Sequence, residues 1–332
     1  MMADVLDEIS LVAGRANDYL KQLATGYSDE LSKAAFHLIK LGGKRLRPFV
    51  LVKCCELVGG SVEDALPAAV SVELLHNFTL IHDDVMDRDD FRHGAPTVHK
   101  VYGEPAAIIA GDLLFALVFK CVCDAFWKRK IPSSTTQRVV EELAEAAITV
   151  CEGQWMDMGL QNRGSATEEV YLSLVAKKTG RLYQAAALIG GIVGGAKGDS
   201  LRNLSLFGER VGQAFQVADD LLGAVGDPKK TGKPVGSDMR NGKQTIIFLH
   251  ALRTSTAENR KIIMRAFGKQ GASKEDIADA LEALERTGSI EYGKRVARAL
   301  SEQAKAKLAG FPDSASRSSL IQFCDYVVER AF

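Results

Sequence analysis

A hydrophobic repeat with helical spacing runs through nearly the whole chain, and it is clearest in ALPAAVSVELLHNFTLIHDD, residues 65–84. Apolar side chains recur there every three or four positions, at Leu66, Val70, Leu74, Phe78 and Ile81, which places them on one helix face. Alternating Val, Ile and Thr runs bounded by two-residue turns, which predict hairpins, are absent from the sequence. The sequence therefore predicts an all-α fold.

The punctuation between the apolar segments agrees with helices. Pro48, Pro67 and Pro105 each stand where a helix is predicted to begin. The glycine-rich segment LIGGIVGGAKGD, residues 188–199, is interpreted as close helix packing through Gly190/Gly194 and Gly191/Gly195, followed by a helix stop. No linker divides the chain, so a single domain over residues 1–332 is expected.

Composition limits the classes of function. The 332 residues are 46% hydrophobic, and 42 basic side chains balance 42 acidic ones, so no global charge favours nucleic acid or an anionic membrane. The six cysteines lack zinc-type spacing and are expected to be reduced and buried. The acidic start MMADVLDEIS argues against export, and the apolar stretch Ala106–Phe119 is judged too short for a bilayer and is interrupted by Asp112. We expect a cytoplasmic protein without an integral membrane segment.

Five aspartates in LIHDDVMDRDDFRHG, residues 80–94, follow directly after this core-like helix. Asp83, Asp84 and Asp87 share one helix side, where like charges repel unless a cation is present. Asp89 and Asp90 lie where the helix should end and are interpreted as solvated charge. Because only carboxylates are offered, a hard cation such as Mg²⁺ is predicted at the first three.

A second acidic pair, Asp219 and Asp220, follows apolar residues in GQAFQVADDLLGAVGD, residues 212–227. Two pairs on two apolar helices predict facing carboxylate walls that share metal ions. Magnesium held in this way commonly keeps part of its coordination shell for substrate phosphate, so a diphosphate ligand is expected.

Basic residues suited to phosphate occur in several short segments. LGGKRLRP places Lys44, Arg45 and Arg47 beside two glycines at a helix start. The segment GDPKKTGKPVGSDMRNGKQT, residues 226–245, reads as a basic loop, either a solvated connector or a lid over phosphate. The remaining candidates are Arg92, Lys178, Lys233 and Lys243.

Together the motifs GGKRLRP, LIHDDVMD, RHGAPTVH, AKKTG, FQVADD and the basic loop resemble the trans-isoprenyl diphosphate synthases, most of all the archaeal short-chain geranylgeranyl type. The resemblance covers about residues 30 to 330. It implies an all-helical isoprenoid-synthase bundle around a central cavity, Mg²⁺ (up to three ions per site), isopentenyl and allylic diphosphates as substrates, and a homodimer.

The same resemblance assigns roles to individual residues. It implies metal binding and catalysis by Asp83, Asp84, Asp87, Asp219 and Asp220, with Lys178 as a further catalytic residue. It implies isopentenyl diphosphate binding by Lys44, Arg47, His76 and His93, and allylic diphosphate binding by Arg92, Lys178, Thr179, Gln216, Lys233 and Lys243. Phe78 and Thr79 match the positions that set product length.

Two positions depart from the resembled pattern. His93 stands where a second arginine is usual. An ordinary histidine has a pKa of about 6.5 and carries its positive charge only at pH values below it. Gly223 replaces a third aspartate of the second motif, with Asp227 the nearest acidic substitute. The first change bears on how tightly isopentenyl diphosphate is bound at neutral pH, and activity is expected to survive the second.

A bulky Phe78, with no insertion between Asp84 and Asp87, implies a C20 product, geranylgeranyl diphosphate. The alternatives are a C15 or C25 product, or a non-catalytic subunit of a heteromeric synthase. Two further classes stay open: a phosphohydrolase using His37, His76 and His82-Asp83, and a terpene cyclase, which would not need Lys44, Arg47 and His76.

Overall fold

The computed structural model describes residues 2–27, 29–161, 166–225 and 236–330. Lys233 and Asp227, both named above as candidates, lie outside these residues. The described residues form two compact units. The first comprises Met1–Ile148, Leu182–Gly208 and Lys307–Phe323, and the second comprises Thr149–Arg181, Glu209–Ala306 and Cys324–Phe332. The expectation of a single domain stays a prediction.

The described elements are almost all helical, which confirms the all-α prediction. Up to residue 128 they are α1 (Met2–Ala24), α2 (Asp29–Ala35), α3 (His37–Lys40), α4 (Leu46–Leu57), α5 (Val62–Asp87), β1 (Phe91–Arg92), β2 (Ala95–Pro96), α6 (Val98–Tyr102) and α7 (Glu104–Lys128). There follow α8 (Ser133–Gln161), α9 (Glu168–Val175), a π-helical turn (Ala176–Gly180), α10 (Arg181–Val193) and α11 (Gly198–Val225). The last are α12 (Ser237–Arg240), α13 (Ile246–Thr254), α14 (Ala257–Ala266), α15 (Lys274–Arg286), α16 (Ser289–Lys307) and α17 (Ala315–Glu329).

Helix α5 is the central element of the first unit and packs against α4 and α7. Ser61 caps its N-terminus by accepting a hydrogen bond from the Asp64 backbone N–H at 3.2 Å. Residues on all its sides are buried, at Ala65, from Pro67 to Leu75 and again at Asn77 and Ile81, so the one-face prediction was too narrow. Pro67 lies inside the helix rather than at its start, which corrects the prediction for that proline.

The glycine-rich segment packs α10 onto α4, as predicted. A Cβ on Gly190 would lie 2.2 Å from a backbone carbonyl oxygen of α4, and one on Gly194 would lie 2.7 Å from another. Gly191 instead faces leucine side chains of α11, within the same unit. Gly195 has φ +86° and open space around it, so it serves as the helix stop and not as a packing contact.

Helix α7 differs from its prediction. The apolar stretch that was judged too short belongs to a helix of 25 residues, whose most apolar window has a mean hydropathy of 2.2. By length and composition alone this helix could cross a membrane, so the prediction was wrong about length. The core helix of a soluble protein can be equally long and apolar, and 44% of this most apolar part of α7 is buried against the rest of the protein.

Two further expectations need correction. Cys54, Cys55, Cys121 and Cys324 are buried, as expected, but the other two cysteines, Cys123 and Cys151, are exposed. Among the described residues, sheet is limited to one short hairpin, in which β1 pairs antiparallel with β2. That hairpin directly follows the first acidic motif.

Candidate functional site

The first acidic motif lies at the C-terminal end of α5. Asp84 is only 1% exposed, and its Oδ1 accepts a hydrogen bond from Arg92 Nε at 2.8 Å and a second from the same guanidinium. Its Oδ2 is buried and has no hydrogen-bond partner among the described residues. Burial raises the pKa of Asp84, and the Arg92 charge opposes that rise. Asp83 is half-buried beside it, and Asp87 is exposed.

The two aspartates at the helix exit have separate roles. Asp90 is exposed and pairs with Lys100 at 2.7 Å, which agrees with the interpretation of solvated charge. Asp89 accepts from Arg92 at 3.3 Å and is partly buried, so that interpretation was wrong for Asp89. Arg92, which was predicted to contact the allylic diphosphate, therefore bridges two carboxylates of its own motif.

His93 and Gly94 form the two-residue turn between β1 and β2. Their φ values are +51° and +77°, as a hairpin turn with two left-handed residues requires. Histidine is one of the few residues other than glycine that is enriched in this backbone region. The chain therefore departs from the resembled pattern at a position where the backbone must be left-handed.

The glycine loop before α4 separates three basic residues that the sequence groups together. Lys44 is exposed, whereas Arg45 is 5% exposed and donates to Asn17, to Glu73 at 2.9 Å and to a backbone carbonyl. Arg45 therefore belongs to the core and not to a phosphate site. Arg47 stacks 4.8 Å over the Tyr183 ring, and its buried Nε has no partner among the described residues.

His76, which was predicted to bind isopentenyl diphosphate, lies in a basic environment. Burial lowers the pKa of His76 well below its ordinary value, and the charges of Arg47, His93 and Arg92 lower it further. His76 is therefore neutral at pH 7. Arg47, His93 and Arg92 therefore lie near enough to His76 for their charges to act on it.

The second acidic motif lies on α11, in the second unit. Asp220 is 1% exposed, and its Oδ1 accepts from Gln216 Nε2 at 2.9 Å and from Lys243 Nζ at 2.8 Å. Its Oδ2 accepts from the hydroxyl of Tyr171 at 2.7 Å. Gln216 in turn accepts from Thr179 at 2.7 Å. Four predicted site residues thus form one hydrogen-bonded group centred on Asp220, joined by Tyr171, which was not predicted.

Asp219 has different surroundings. Its side chain is 38% exposed, and its Oδ1 accepts from Arg330 at 2.7 Å. Arg330 also donates to the carbonyl oxygen of Phe215 and stacks 3.8 Å over that ring. Desolvation raises the pKa of Asp219, and the Arg330 charge opposes the rise. Arg330 is thus a second residue that the sequence interpretation missed.

Lys178 and Thr179 lie in the π-helical turn between α9 and α10. Such turns are frequent at functional sites. Lys178 Nζ donates to Asp157 at 2.5 Å, which fixes the lysine against α8. Gly153 allows this approach, because a Cβ there would lie 2.8 Å from the Lys178 backbone nitrogen.

The two predicted chain-length residues differ in their contacts. Phe78 lies 5.0 Å from the ring of Phe115 and 4.8 Å from that of His82, and Phe115 continues the cluster to Phe119 at 5.3 Å. Thr79 donates its hydroxyl to the His76 carbonyl within α5. Phe78 is therefore part of an aromatic cluster between α5 and α7, whereas Thr79 makes a bond within its own helix.

The acidic motifs fit a hard divalent cation in the chemistry of their donors, since they offer carboxylate oxygens, and the buried Oδ2 of Asp84 lacks a hydrogen bond among the described residues. Within the described part of the chain, no three His, Cys, Asp or Glu side chains converge as a ready-made metal cluster. Two of the three histidines of the phosphohydrolase alternative are engaged elsewhere: His37 Nε2 lies 2.9 Å from the Pro96 carbonyl and His82 Nε2 lies 3.1 Å from the Ile108 carbonyl. Carboxylates, and not histidines, are the candidate ligands.

These features define an all-α protein with an acidic pair on each of two long helices. The polyprenyl synthetase family profile matches residues 28–284, and the chain belongs to that family. A geranylgeranyl diphosphate synthase of Saccharolobus solfataricus is 38% identical over 98% of each chain, and a geranylfarnesyl diphosphate synthase of Aeropyrum pernix is 40% identical over 94% of this chain and 98% of its own. The crystal structure of a geranylgeranyl pyrophosphate synthetase from Pyrococcus horikoshii superposes with a TM-score of 0.91, at 38% identity over 99% of both chains.

Proposed function

We propose that this chain is a magnesium-dependent prenyltransferase that joins isopentenyl diphosphate head-to-tail to an allylic diphosphate, yielding geranylgeranyl diphosphate and diphosphate. The observation that carries the proposal is a pair of buried, unpartnered atoms of opposite character in the first unit. Within the described residues, Asp84 Oδ2 lacks a donor and Arg47 Nε lacks an acceptor. A cation and a phosphate oxygen are the ligands that would satisfy them.

The C–O bond of the allylic diphosphate must break, which leaves a carbocation and a diphosphate anion. Lys178, Lys243 and Arg92 are proposed to stabilise the charge that grows on this leaving group. Magnesium, when bound through Asp83, Asp84, Asp87 and the second acidic pair, supplies further positive charge. Thr179 and Gln216 are proposed to hold the same diphosphate in place.

Isopentenyl diphosphate is proposed to bind through Lys44, Arg47, His76 and His93. Apolar side chains exclude water while the double bond attacks the cation, and positioning the two substrates lowers the barrier. The released diphosphate is the proposed base for the final proton.

The test incubates the purified protein with Mg²⁺, isopentenyl diphosphate and a C5, C10 or C15 allylic diphosphate, and sizes the dephosphorylated products by chromatography. A C20 product that disappears with EDTA supports the proposal. Phosphate release from nucleotides would favour the phosphohydrolase, and a hydrocarbon from geranylgeranyl diphosphate alone would favour a cyclase. Absence of turnover by the folded chain alone would favour a non-catalytic subunit.

Product length is proposed to depend on Phe78. Because the ring packs on Phe115, Phe78→Ala should open space below the first acidic motif and shift the product from C20 to C25 or longer. Phe91→Ala is the matched control, since this phenylalanine is 64% exposed and should leave the product unchanged. An unchanged product in the Phe78 variant would contradict the assignment.

The proposal includes a homodimer and a cytoplasmic location. Ile108 and Ile109 on α7 are 46% and 55% exposed, which is unusual for adjacent aliphatic residues on so apolar a helix. A second copy of the chain is the proposed cover for this surface. Light scattering should give about twice the chain mass, and a monomer at working concentration would contradict this part.

A further inference from the structure

Asp220 is enclosed by donors and is poorly available to a metal ion. Gln216 and Lys243 bond to one of its oxygens and Tyr171 bonds to the other. A carboxylate offers about four lone-pair positions, so three are already used. Since both Tyr171 and Asp220 are buried, at 3% and 1% exposure, water does not readily replace these bonds.

Its neighbour Asp219 is arranged in the opposite way. More than a third of its side chain is exposed, and its described hydrogen bond runs from Arg330 to Oδ1. The two aspartates of one motif therefore have separate tasks: one is fixed inside the protein, and the other keeps oxygen surface that a cation can reach.

The geometry points to Tyr171 as a positioning residue, which we propose holds Asp220 as a hydrogen-bonding anchor so that Asp219, and not Asp220, binds the cation of the second motif. This inference rests on the proposed function and refines the pair assignment made there. Tyr171 itself touches no substrate in this scheme.

The anchor also orders predicted diphosphate contacts. Because Gln216 donates its amide N–H to Asp220, its amide oxygen is left to accept from Thr179. Lys243 is directed by the same carboxylate. Loss of the Tyr171 hydroxyl would therefore loosen Gln216, Thr179 and Lys243 together.

The test measures binding of Mg²⁺-pyrophosphate by isothermal titration calorimetry, beside steady-state kinetics. We expect Asp219→Asn to abolish measurable binding. Tyr171→Phe and Asp220→Asn should each weaken it about tenfold, the effect of losing one hydrogen bond to a charged group. The double variant should be no weaker than Asp220→Asn alone, because both changes remove the same anchor. Tyr171→Phe should raise KM for the allylic diphosphate and leave KM for isopentenyl diphosphate unchanged.

Tyr292→Phe is the matched control. Its hydroxyl also bonds to a carboxylate, Glu168, in the same unit but outside the acidic motif, and its loss should leave pyrophosphate binding unchanged. Circular dichroism melts establish that each variant is folded. If Asp220→Asn does not fold, Gln216→Leu takes its place in the double-variant cycle.

Equal loss of binding in Asp220→Asn and Asp219→Asn would overturn the inference, as would additive effects of Tyr171→Phe and Asp220→Asn. Absence of Mg²⁺-pyrophosphate binding by the unaltered protein would overturn it too. If the binding pattern appears but no prenyl product forms, the anchor stands and the proposed function falls.

Discussion

Asp84 and Asp220 are equally buried, yet their partners come from very different distances along the chain. Asp84 is held by Arg92, eight residues later, through a short hairpin. Asp220 is held by Gln216 four residues before it, by Lys243 23 residues after it and by Tyr171 49 residues before it. The first motif is thus completed locally, whereas the second forms only when α9, α11 and the segment that carries Lys243 have come together.

The local motif can be broken with a single substitution. Arg92→Gln should lower the free energy of unfolding by about 3 kcal/mol, because it leaves the buried Asp84 carboxylate without its cation. Urea unfolding measures the change. Lys100→Gln is the matched control, since Lys100 and Asp90 form an exposed pair, and we expect a loss of about 0.5 kcal/mol or less. Equal losses in the two variants would contradict the distinction between them.

The second motif depends on packing between helices, so adding a methyl group beside the π-helical turn that carries Thr179 should disturb it. Gly153→Ala places a Cβ against the backbone of the π-helical turn, and we expect about 2 kcal/mol of destabilisation from overpacking, together with a lower kcat/KM for the allylic diphosphate. Gly159→Ala is the control on the same helix. Nothing lies within 4 Å of a Cβ at Gly159, so this change should stabilise the helix by about 0.5 kcal/mol. A fully active and stable Gly153 variant would show that the turn tolerates displacement.

The smallest expected effect concerns His76, near the first motif. Because burial lowers the pKa of His76, the unfolded chain binds the proton more readily than the folded one. Stability should therefore fall as the pH is lowered through about 6.5, the ordinary histidine value, and His76→Gln should reduce that slope. Thermal melts between pH 7.5 and 5.5 measure it. A slope that His76→Gln leaves unchanged would assign the effect to other groups.

The comparison also explains what the sequence could reveal. The helix type of α5 and the acidic residues at its end follow from spacing and local charge, so both were predicted from the sequence alone. Tyr171 and Arg330 could not be found in this way, because their partners lie 49 and 111 residues away and nothing in their own segments marks them.

Arg45 is a residue that the sequence wrongly placed in the candidate site. In the sequence it stands beside Lys44 and Arg47 as one more phosphate ligand, but its backbone is left-handed, with φ +49°, and its guanidinium pairs with buried Glu73. Neighbouring residues in the sequence can thus point in different directions, one into the core and another toward a candidate binding site. The direction in which a side chain leaves a strained loop depends on backbone angles that residue type alone does not determine.

The hairpin turn at His93 has a consequence for which residues this position can hold. A residue there must accept a left-handed backbone as well as carry a charge that suits a ligand. Histidine suits the bend better than most residues, but it lacks the permanent charge of an arginine. At this position a substitution therefore exchanges backbone strain against ligand attraction.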